Sequence, residues 1–373
     1  MPPLRPTAPI AVLGAVVLSA CGTPSVPTSA AEEAPATVQI TDDFDRVVEV
    51  PTGPDRVAVM EWEGLVSKTL AILGEDNTIV AVDPATKDDP TRQVMVDGIA
   101  DAVEVGSAWS GINYEELASL DTDVVFLEAW VASDEDRTLH EEAVQTIEDL
   151  GIPVVVFLSP SNFDEPSMDT AYSIVDTVGT VYERSSDTDR IVENLRSGID
   201  EVLTRIPDDA PAPSVALFAT TAYLMGEKSL QSHLFSTLLG ARNVAGPGTF
   251  VPISEEQLLA HDPDVLVVIG HEGYLSTQEV YAGANIGLDW NKLRDLRAIR
   301  DQRVTALGYD EWRATLETPV ALMKVGAALY PDAFADVDLA AWEQEFYQGA
   351  FGLDADAAAE AIEGQRYRAD LGS

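Results

Sequence analysis

Residues 113–127, NYEELASLDTDVVFL, contain the pattern that decides the fold, and residues 253–269, ISEEQLLAHDPDVLVVI, repeat it. In each copy a glutamate begins a short helix whose apolar side chains face the strand that follows, and an aspartate precedes that strand. The strand is apolar on both faces, which is typical of a parallel sheet covered by helices. One copy in each half of the chain predicts two similar α/β units.

The same alternation extends on both sides of each copy, and an exposed hairpin is predicted around the Asp-rich turn that follows Val38. The chain's other elements fall into two series. In the first half, strands are predicted at Arg56–Met60, Thr78–Val82, Val124–Leu127 and Val154–Leu158, and helices at Gly64–Leu73, Tyr114–Leu120 and Leu139–Leu150. In the second half, strands are predicted at Ser214–Ala219, Val265–Ile269 and Arg303–Ala306, and helices at Leu230–Leu239, Glu255–Ala260, Pro319–Leu329 and Leu339–Tyr347. The predicted fold class is α/β, with two lobes built on parallel sheets.

A long helix is predicted between the two series, from about Ser186 to Arg205. Twenty helical residues span roughly 30 Å, which is long enough to bridge two lobes. The prolines that follow Arg205 mark the start of the second series. We therefore expect a signal peptide at 1–20, a tether at 21–37, an N-terminal lobe at 38–183, a connecting helix at 184–206, and a C-terminal lobe with its tail at 207–373.

The N-terminal segment is typical of a secretory signal, because Arg5 precedes an apolar run from Ile10 that is too short to span a bilayer. Leu-Ser-Ala-Cys21 followed by Gly22 resembles the lipobox of bacterial lipoproteins, in which the cysteine is acylated and becomes the first mature residue. An ordinary cleaved signal or a buried core cysteine is the alternative. The proline-containing segment after Cys21 predicts a flexible tether. The expected location is extracytoplasmic, with a lipid anchor in the cell membrane.

The charge of the chain excludes some partners. With 64 acidic residues against 22 Lys and Arg, the net charge is −42. Nucleic acid is excluded as a partner, because binding to phosphates needs a basic surface. Anionic lipid headgroups are repelled as well, so membrane attachment depends on the acyl anchor.

Candidate ligand-binding residues follow the predicted strands, since ligands of such lobes lie beyond the carboxyl ends of the strands. Most of them are large and planar, which suits a bulky, partly apolar solute, although each could instead pack against its own lobe. The candidates are Trp62, Trp109, Trp130, Tyr223, Arg242, His271, Tyr274, Tyr309 and Trp312.

Several weak motifs, in order, resemble the cluster-type periplasmic binding proteins that serve iron–siderophore, haem and cobalamin importers. Besides the repeated fragment, the motifs are DFDRVVEVP at 43–51, PDRVAV at 54–59, LGARNVA at 239–245, LRAIRDQRV at 296–304, LYP at 329–331 and EFY at 345–347. The resemblance runs from about residue 38 to 352. It implies two Rossmann-like lobes joined by a single long α-helix, with the ligand in the cleft between the lobes.

The resemblance also implies a function and partners. The chain would capture a small-molecule metal chelate, as a monomer and without catalysis or a cofactor, and would pass it to an ABC permease and its ATPase. In that family a glutamate on each lobe docks arginines of the permease, and the matching positions are Glu115 and Glu256. Their neighbours Glu116 and Glu255 could share or take over this role.

An iron(III)–siderophore is the expected ligand, and haem or cobalamin is the alternative. Arg242, Arg313 and Lys324 are the few bases near the predicted loops, so neutral or cationic hydroxamate complexes fit better than a highly anionic catecholate. His271 could ligate the metal of a bound macrocycle or simply form hydrogen bonds. The chain lacks the sequence motifs of serine hydrolases, zinc proteases and nucleotide-binding loops, which argues against an enzyme.

Overall fold

The structure is a computed structural model that describes residues 36–160, 167–270 and 273–367. The predicted signal peptide, Cys21, nearly all of the tether and His271 lie outside the described residues.

The first sheet has five parallel strands in the order β5-β4-β3-β6-β7. A separate antiparallel hairpin of β1 and β2 precedes it, with Thr37 opposite Pro51. The bounds are β1 Thr37–Thr41, β2 Val47–Pro51, β3 Val57–Met60, β4 Ile79–Val82, β5 Val103–Glu104, β6 Val124–Ala129 and β7 Val154–Leu158.

Helices cover both faces of this sheet, and polar side chains cap several of them. Ser133, for example, accepts a hydrogen bond from the backbone N–H of Asp136, so the helix predicted from Leu139 begins five residues earlier, at Asp134. The helices are α1 Leu65–Leu73, α2 Pro84–Lys87, α3 Pro90–Met95, α4 Gly98–Asp101, α5 Tyr114–Ser119, α6 Asp134–Asp149 and α7 Asp169–Val181, with a 3₁₀ turn at Asp76–Thr78.

The second sheet has a parallel centre, β8-β12-β15, and an antiparallel edge formed by β9 and β11. The two-residue strand β10 pairs with the start of β8. The bounds are β8 Ser214–Ala219, β9 Tyr223–Met225, β10 Arg242–Asn243, β11 Phe250–Pro252, β12 Val265–Ile269 and β15 Val304–Leu307, with a separate hairpin of β13 Asn285–Ile286 and β14 Leu288–Asp289.

The helix between the two sheets is α8, Ser185–Arg205. Helix α9, Leu230–Ser232, continues into a π-helical turn at His233–Thr237, where one longer helix was predicted. The remaining helices are α10 Glu255–His261, α11 Thr277–Ala282, α12 Arg297–Arg300, α13 Thr318–Leu329, α14 Leu339–Phe351 and α15 Ala355–Gly364.

The repeated fragment has the same structural role in both halves. Asp123 Oδ2 accepts hydrogen bonds from the backbone N–H groups of Asp55 and Arg56, just before β3. Asp264 Oδ2 accepts from the backbone N–H of Ser214, at the start of β8. Each aspartate therefore satisfies backbone donors at the start of the neighbouring strand, which explains its place before the buried strand.

The two sheets share part of one apolar core. Alternate residues of β6 and β12, such as Phe126 and Val267, belong to a cluster that also contains side chains of α1, α8 and α13. The residues between them, such as Val125 and Leu266, belong to separate clusters on the far face of each sheet. The α/β prediction with two lobes and a long connecting helix is confirmed, and the shared core adds a second connection between the lobes.

The C-terminal helix also connects the lobes. Helix α15 packs on α3 of the first lobe, where Gly364 lies against the backbone of Pro90 and Thr91. Gln365, which follows it, accepts a hydrogen bond from the backbone N–H of Asp310 through its side-chain oxygen. The segment predicted as a tail is therefore an ordered part of the contact between the lobes.

Candidate functional site

The carboxyl ends of the parallel strands carry exposed aromatic side chains. Trp62 follows β3, Trp130 follows β6, and Tyr223 begins β9 opposite Ala219, the last residue of β8. These side chains are 45%, 41% and 37% exposed, and Trp109, in the loop after β5, is 54% exposed. Large aromatic side chains that are this exposed, and that lie together at the carboxyl ends of the strands, are typical of a binding surface.

Two of these residues also pack against their own lobe, which was the alternative for each candidate. The Trp109 ring meets His140 of α6 edge to face, with centroids 5.3 Å apart. Tyr223 meets Phe250 of β11 in the same manner, at 6.4 Å. Their outer faces remain exposed.

Three further candidates lie in or beside the segment that follows β15. Tyr309 and Trp312 belong to this segment, and the guanidinium of Arg313 lies 4.4 Å from the Tyr309 ring centroid and 5.3 Å from the Trp312 ring centroid. Tyr274 is half-buried, and its backbone N–H donates to the carbonyl of Tyr367. Trp312 is buried, so it supports the segment rather than offering a surface.

Arg242 is not brought to this edge. It lies on β10 and pairs with Ser214, the first residue of β8, whereas ligands of such sheets lie beyond the last residues of the strands. We therefore leave Arg242 out of the site. The structure says nothing of His271, which is outside the described residues.

A buried ion pair joins the two lobes near the strand ends. Lys68 Nζ of α1 lies 2.8 Å from Asp310 Oδ2 and 2.5 Å from Glu317 Oε1, and all three side chains are fully buried. Burial alone would lower the pKa of Lys68, but the two carboxylates raise it above its ordinary value. Lys68 therefore stays charged and holds the first lobe against the second.

Arg92 of α3 is a second fully buried cation. Its Nε lies 2.9 Å from Asp89 Oδ2, and its Nη2 donates to the carbonyl of Trp62. Glu61 accepts from the backbone N–H groups of Val66 and Ser67 at the start of α1. These contacts fix the segment that carries Trp62.

Two carboxyl groups lie close together behind Trp62. Glu128 Oε2 accepts from the backbone N–H groups of Trp62 and Glu63, at 2.9 Å and 2.8 Å. Glu63 Oε1 accepts from Ser159 Oγ at 3.1 Å. Burial and then the charge of Glu63 raise the pKa of Glu128 to about 8, and burial also raises the pKa of Glu63. The pair therefore holds at least one proton at neutral pH.

The positive charge of Arg313 opposes the rise in the pKa of Glu63 more than that of Arg92 does. Arg313 Nη1 donates to the Trp62 carbonyl at 2.9 Å and to Asp310 Oδ1 at 3.1 Å, while its guanidinium lies 4.6 Å from the Trp62 ring centroid. The sequence placed Arg313 near the loops but gave no sign of these contacts. Their partners lie up to 251 residues away, so only the folded chain brings them together.

The predicted docking glutamates are exposed, and they also lie on the side of the sheets where the parallel strands have their carboxyl ends. Glu115 and Glu256 lie in the first turns of α5 and α10. The starts of both helices lie near the carboxyl ends of strands, because Asn113 N–H donates to the carbonyl of Val105 after β5 and Ile253 N–H donates to that of Ala222 after β8. Glu116 is half-buried. Glu255 is half-buried as well, and its Oε1 accepts from Lys292 Nζ at 3.4 Å. Of each adjacent pair, Glu115 and Glu256 are the more accessible.

Two features bear on metals and membranes. In residues 36–160, 167–270 and 273–367, no three His, Cys, Asp or Glu side chains come together in a group that could hold a metal ion. Within the same ranges, no helix has both the length and the apolarity needed to cross a bilayer.

Comparison with known proteins gives consistent matches. Residues 57–306 match the family described as periplasmic binding protein. The molybdate-binding protein MolA of Haemophilus influenzae is 25% identical over 335 residues, which are 83% of this chain and 89% of MolA.

Solved structures share the fold. A periplasmic solute binding protein from Veillonella parvula matches with a TM-score of 0.70 and 19% identity, over 88% of this chain and 97% of that one. The petrobactin-binding protein YclQ from Bacillus subtilis matches with a TM-score of 0.59 and 17% identity, over 79% and 99%.

The family match extends from the start of β3 almost to the end of β15, so it includes both sheets and the helix between them. Proteins of this family are extracytoplasmic solute-binding components of ABC transporters and not enzymes. The chain belongs to the periplasmic binding protein family.

Proposed function

We propose that this protein captures an iron(III)–siderophore, or a related iron chelate, between its lobes and delivers it to the permease and ATPase of an ABC importer. The observation that carries the proposal is the set of exposed aromatic side chains at the strand ends, with Trp62 and Trp130 on one lobe and Tyr223 on the other. Indole and phenol rings provide a large, rigid contact area for a bulky and partly apolar ligand.

Delivery would use Glu115 and Glu256. Both carboxylates are exposed and begin helices that precede β6 and β12, which are interior strands of the two sheets. Two carboxylates held on different lobes can each meet a guanidinium group of the permease bidentately, and their spacing reports how the lobes are placed.

Attachment would use Cys21, whose acylation would hold the protein at the outer face of the cell membrane. A Cys21→Ala variant, if still exported, should appear in the culture medium or periplasm rather than with the membrane. Fractionation and labelling with a radioactive fatty acid test this. Equal labelling of the variant and the natural chain would contradict acylation at Cys21.

An oxyanion such as molybdate is a second candidate ligand. MolA binds molybdate and is similar to this chain over most of its length. Arg313 also offers a buried positive charge near the strand ends.

The test is a titration of the purified protein with chelates of several classes, followed by tryptophan fluorescence and by thermal unfolding. The panel includes iron(III) hydroxamates, catecholates and hydroxycarboxylates, haem, cobalamin and molybdate. Stabilisation by an iron(III) chelate, and not by the iron-free form of the same siderophore, supports the proposal. Stabilisation by molybdate, haem or cobalamin alone would overturn it.

A further inference from the structure

Within the described part of the chain, one nitrogen of the Arg313 guanidinium, Nη1, has hydrogen-bond acceptors. Its Nη1 has two acceptors, the Trp62 carbonyl and Asp310 Oδ1. Its Nε and Nη2 are buried and have no hydrogen-bond partner among the described residues. The side chain is 1% exposed, so water does not reach these two groups from the surface.

Buried N–H groups without acceptors are costly, at about 1–3 kcal/mol each and more when the group is charged. Nε–H and Nη2–H point the same way along one edge of the guanidinium. Two parallel donors of this kind match the two oxygens of a carboxylate. The unused edge therefore has the geometry of a carboxylate receptor.

The surroundings leave the positive charge of Arg313 only partly compensated. Among the described residues, Asp310 is the one carboxylate in ion-pair contact with Arg313, and it also pairs with Lys68 at 2.8 Å. Glu63 is the next acidic neighbour. Its Oε2 is also buried without a hydrogen-bond partner among the described residues, and burial raises the pKa of Glu63 more than the charge of Arg313 lowers it. An anionic group from outside the chain would therefore be attracted to this edge.

The place also fits a ligand held between the lobes. The guanidinium belongs to the second lobe, whereas Trp62, which lies over it and is 45% exposed, belongs to the first. The Tyr309 ring centroid lies 4.4 Å from the same guanidinium, so two aromatic rings contact it. Access of a ligand to the guanidinium would require displacement of the Trp62 ring that lies over it.

We propose that the ligand of the cleft carries a free carboxylate, which accepts hydrogen bonds from Nε and Nη2 of Arg313. This inference rests on the proposed function, since it names the group of the chelate that the protein recognises. A single carboxylate agrees with the small number of bases at the site.

The experiment compares two ligands on the full-length protein by isothermal titration: an iron(III) trihydroxamate with one pendant carboxylate, and the methyl ester of the same chelate. We expect the ester to bind about tenfold to a hundredfold more weakly than the acid, because the ester lacks the negative charge that strengthens the hydrogen bonds from Arg313. Arg313→Lys, which lacks the planar pair of donors, should lose most of this preference. Arg297→Lys, an exposed arginine paired with Asp262 and Asp264, should keep it.

Equal binding of the acid and the ester to the natural protein would overturn the carboxylate inference and leave the proposed function intact. This comparison does not depend on the folding of any variant. Failure of every iron(III) chelate to bind would overturn both. Thermal unfolding without ligand verifies that Arg313→Lys is folded.

Discussion

At the scale of single residues, the charges of the inter-lobe contact are buried and depend on one another. Lys68, Arg92 and Arg313 are 0–1% exposed, and Asp310 lies between the first and the last of them. A buried pair contributes little net stability, but removing one partner leaves an uncompensated charge. Substitutions here should therefore be far more costly than substitutions of surface pairs.

Lys68→Met should destabilise the protein by about 3–5 kcal/mol, because Glu317 would remain buried without its cation and Asp310 would keep only Arg313. Lys292→Met is the matched control, since Lys292 is 63% exposed and pairs with Glu255 at 3.4 Å. Its loss should cost less than about 1 kcal/mol. Urea unfolding measures the free energy of unfolding of both variants. Equal losses would contradict the claim that the buried ion pair of Lys68 matters more to stability than a surface pair.

The pKa of Glu128 predicts a pH dependence of stability. The folded carboxyl keeps its proton up to about pH 8, whereas its ordinary pKa is 4.5. Between these values the folded state binds more protons than the unfolded state, so the free energy of unfolding falls as the pH rises. Glu128→Gln should reduce this fall between about pH 5 and 8 in urea titrations, because glutamine does not ionise.

Glu142→Gln, on the exposed face of α6, is the control for the exchange of a carboxylate for an amide. A Glu128→Gln profile that coincides with that of the natural chain would contradict the raised pKa.

These residue-scale features could not be predicted from sequence. Glu61, Glu63 and Lys68 follow β3 closely, yet they have separate partners, in α1, at Ser159 and in the second lobe. Spacing along the chain shows which side chains follow a strand. It does not show which distant carboxylate or ring each of them meets.

At the scale of elements, sequence predicted the buried strands well. β7, β8 and β12 have the predicted bounds, because runs of Val, Leu, Phe and Ile that are apolar on both faces fit the interior of a covered sheet. The short strands β9, β10 and β11 were not predicted. They have only two or three residues each, so they show no recognisable hydrophobic pattern. They form because they pair with β8 or with one another.

The contact between α7 and α8 depends on Gly179 of α7. A Cβ at this position would lie 2.0 Å from Thr188 Oγ1 of α8. Gly179→Ala should therefore destabilise the protein by about 1–3 kcal/mol through overpacking. Gly349→Ala in α14, where a Cβ meets nothing within 4 Å, should be neutral or stabilising by up to about 1 kcal/mol.

Thermal and urea unfolding distinguish the two variants, and an equal or smaller loss for Gly179→Ala than for Gly349→Ala would contradict the close packing of α7 and α8.

Helices α5 and α10 carry the proposed docking residues. Replacing Glu115 and Glu256 together by Ala should lower ligand-stimulated ATPase activity of the reconstituted transporter by about tenfold or more, with ligand affinity unchanged. Replacing Glu141 and Glu142 by Ala removes two negative charges as well, but from α6 rather than from α5 and α10. This control variant should have little effect on the ATPase activity. If the two double variants behave alike, docking does not depend on Glu115 and Glu256.

At the scale of the whole molecule, several connections join the lobes: α8, the shared apolar cluster, the Lys68 ion pair and α15. Such a molecule should adjust by small movements around its ligand rather than close widely. The sequence predicted the two lobes and the helix between them, because these depend on local periodicity. The shared core and the return of α15 to the first lobe depend on contacts between distant segments.

The central claim is that an iron chelate binds between the carboxyl ends of the two sheets. Anomalous scattering at the iron absorption edge, from crystals of the protein grown with a bound iron(III) chelate, locates the metal directly. We expect one strong peak between Trp62 of the first lobe and the Tyr309–Arg313 segment of the second. A peak on the outer surface of either lobe, with none between the strand ends, would contradict the account.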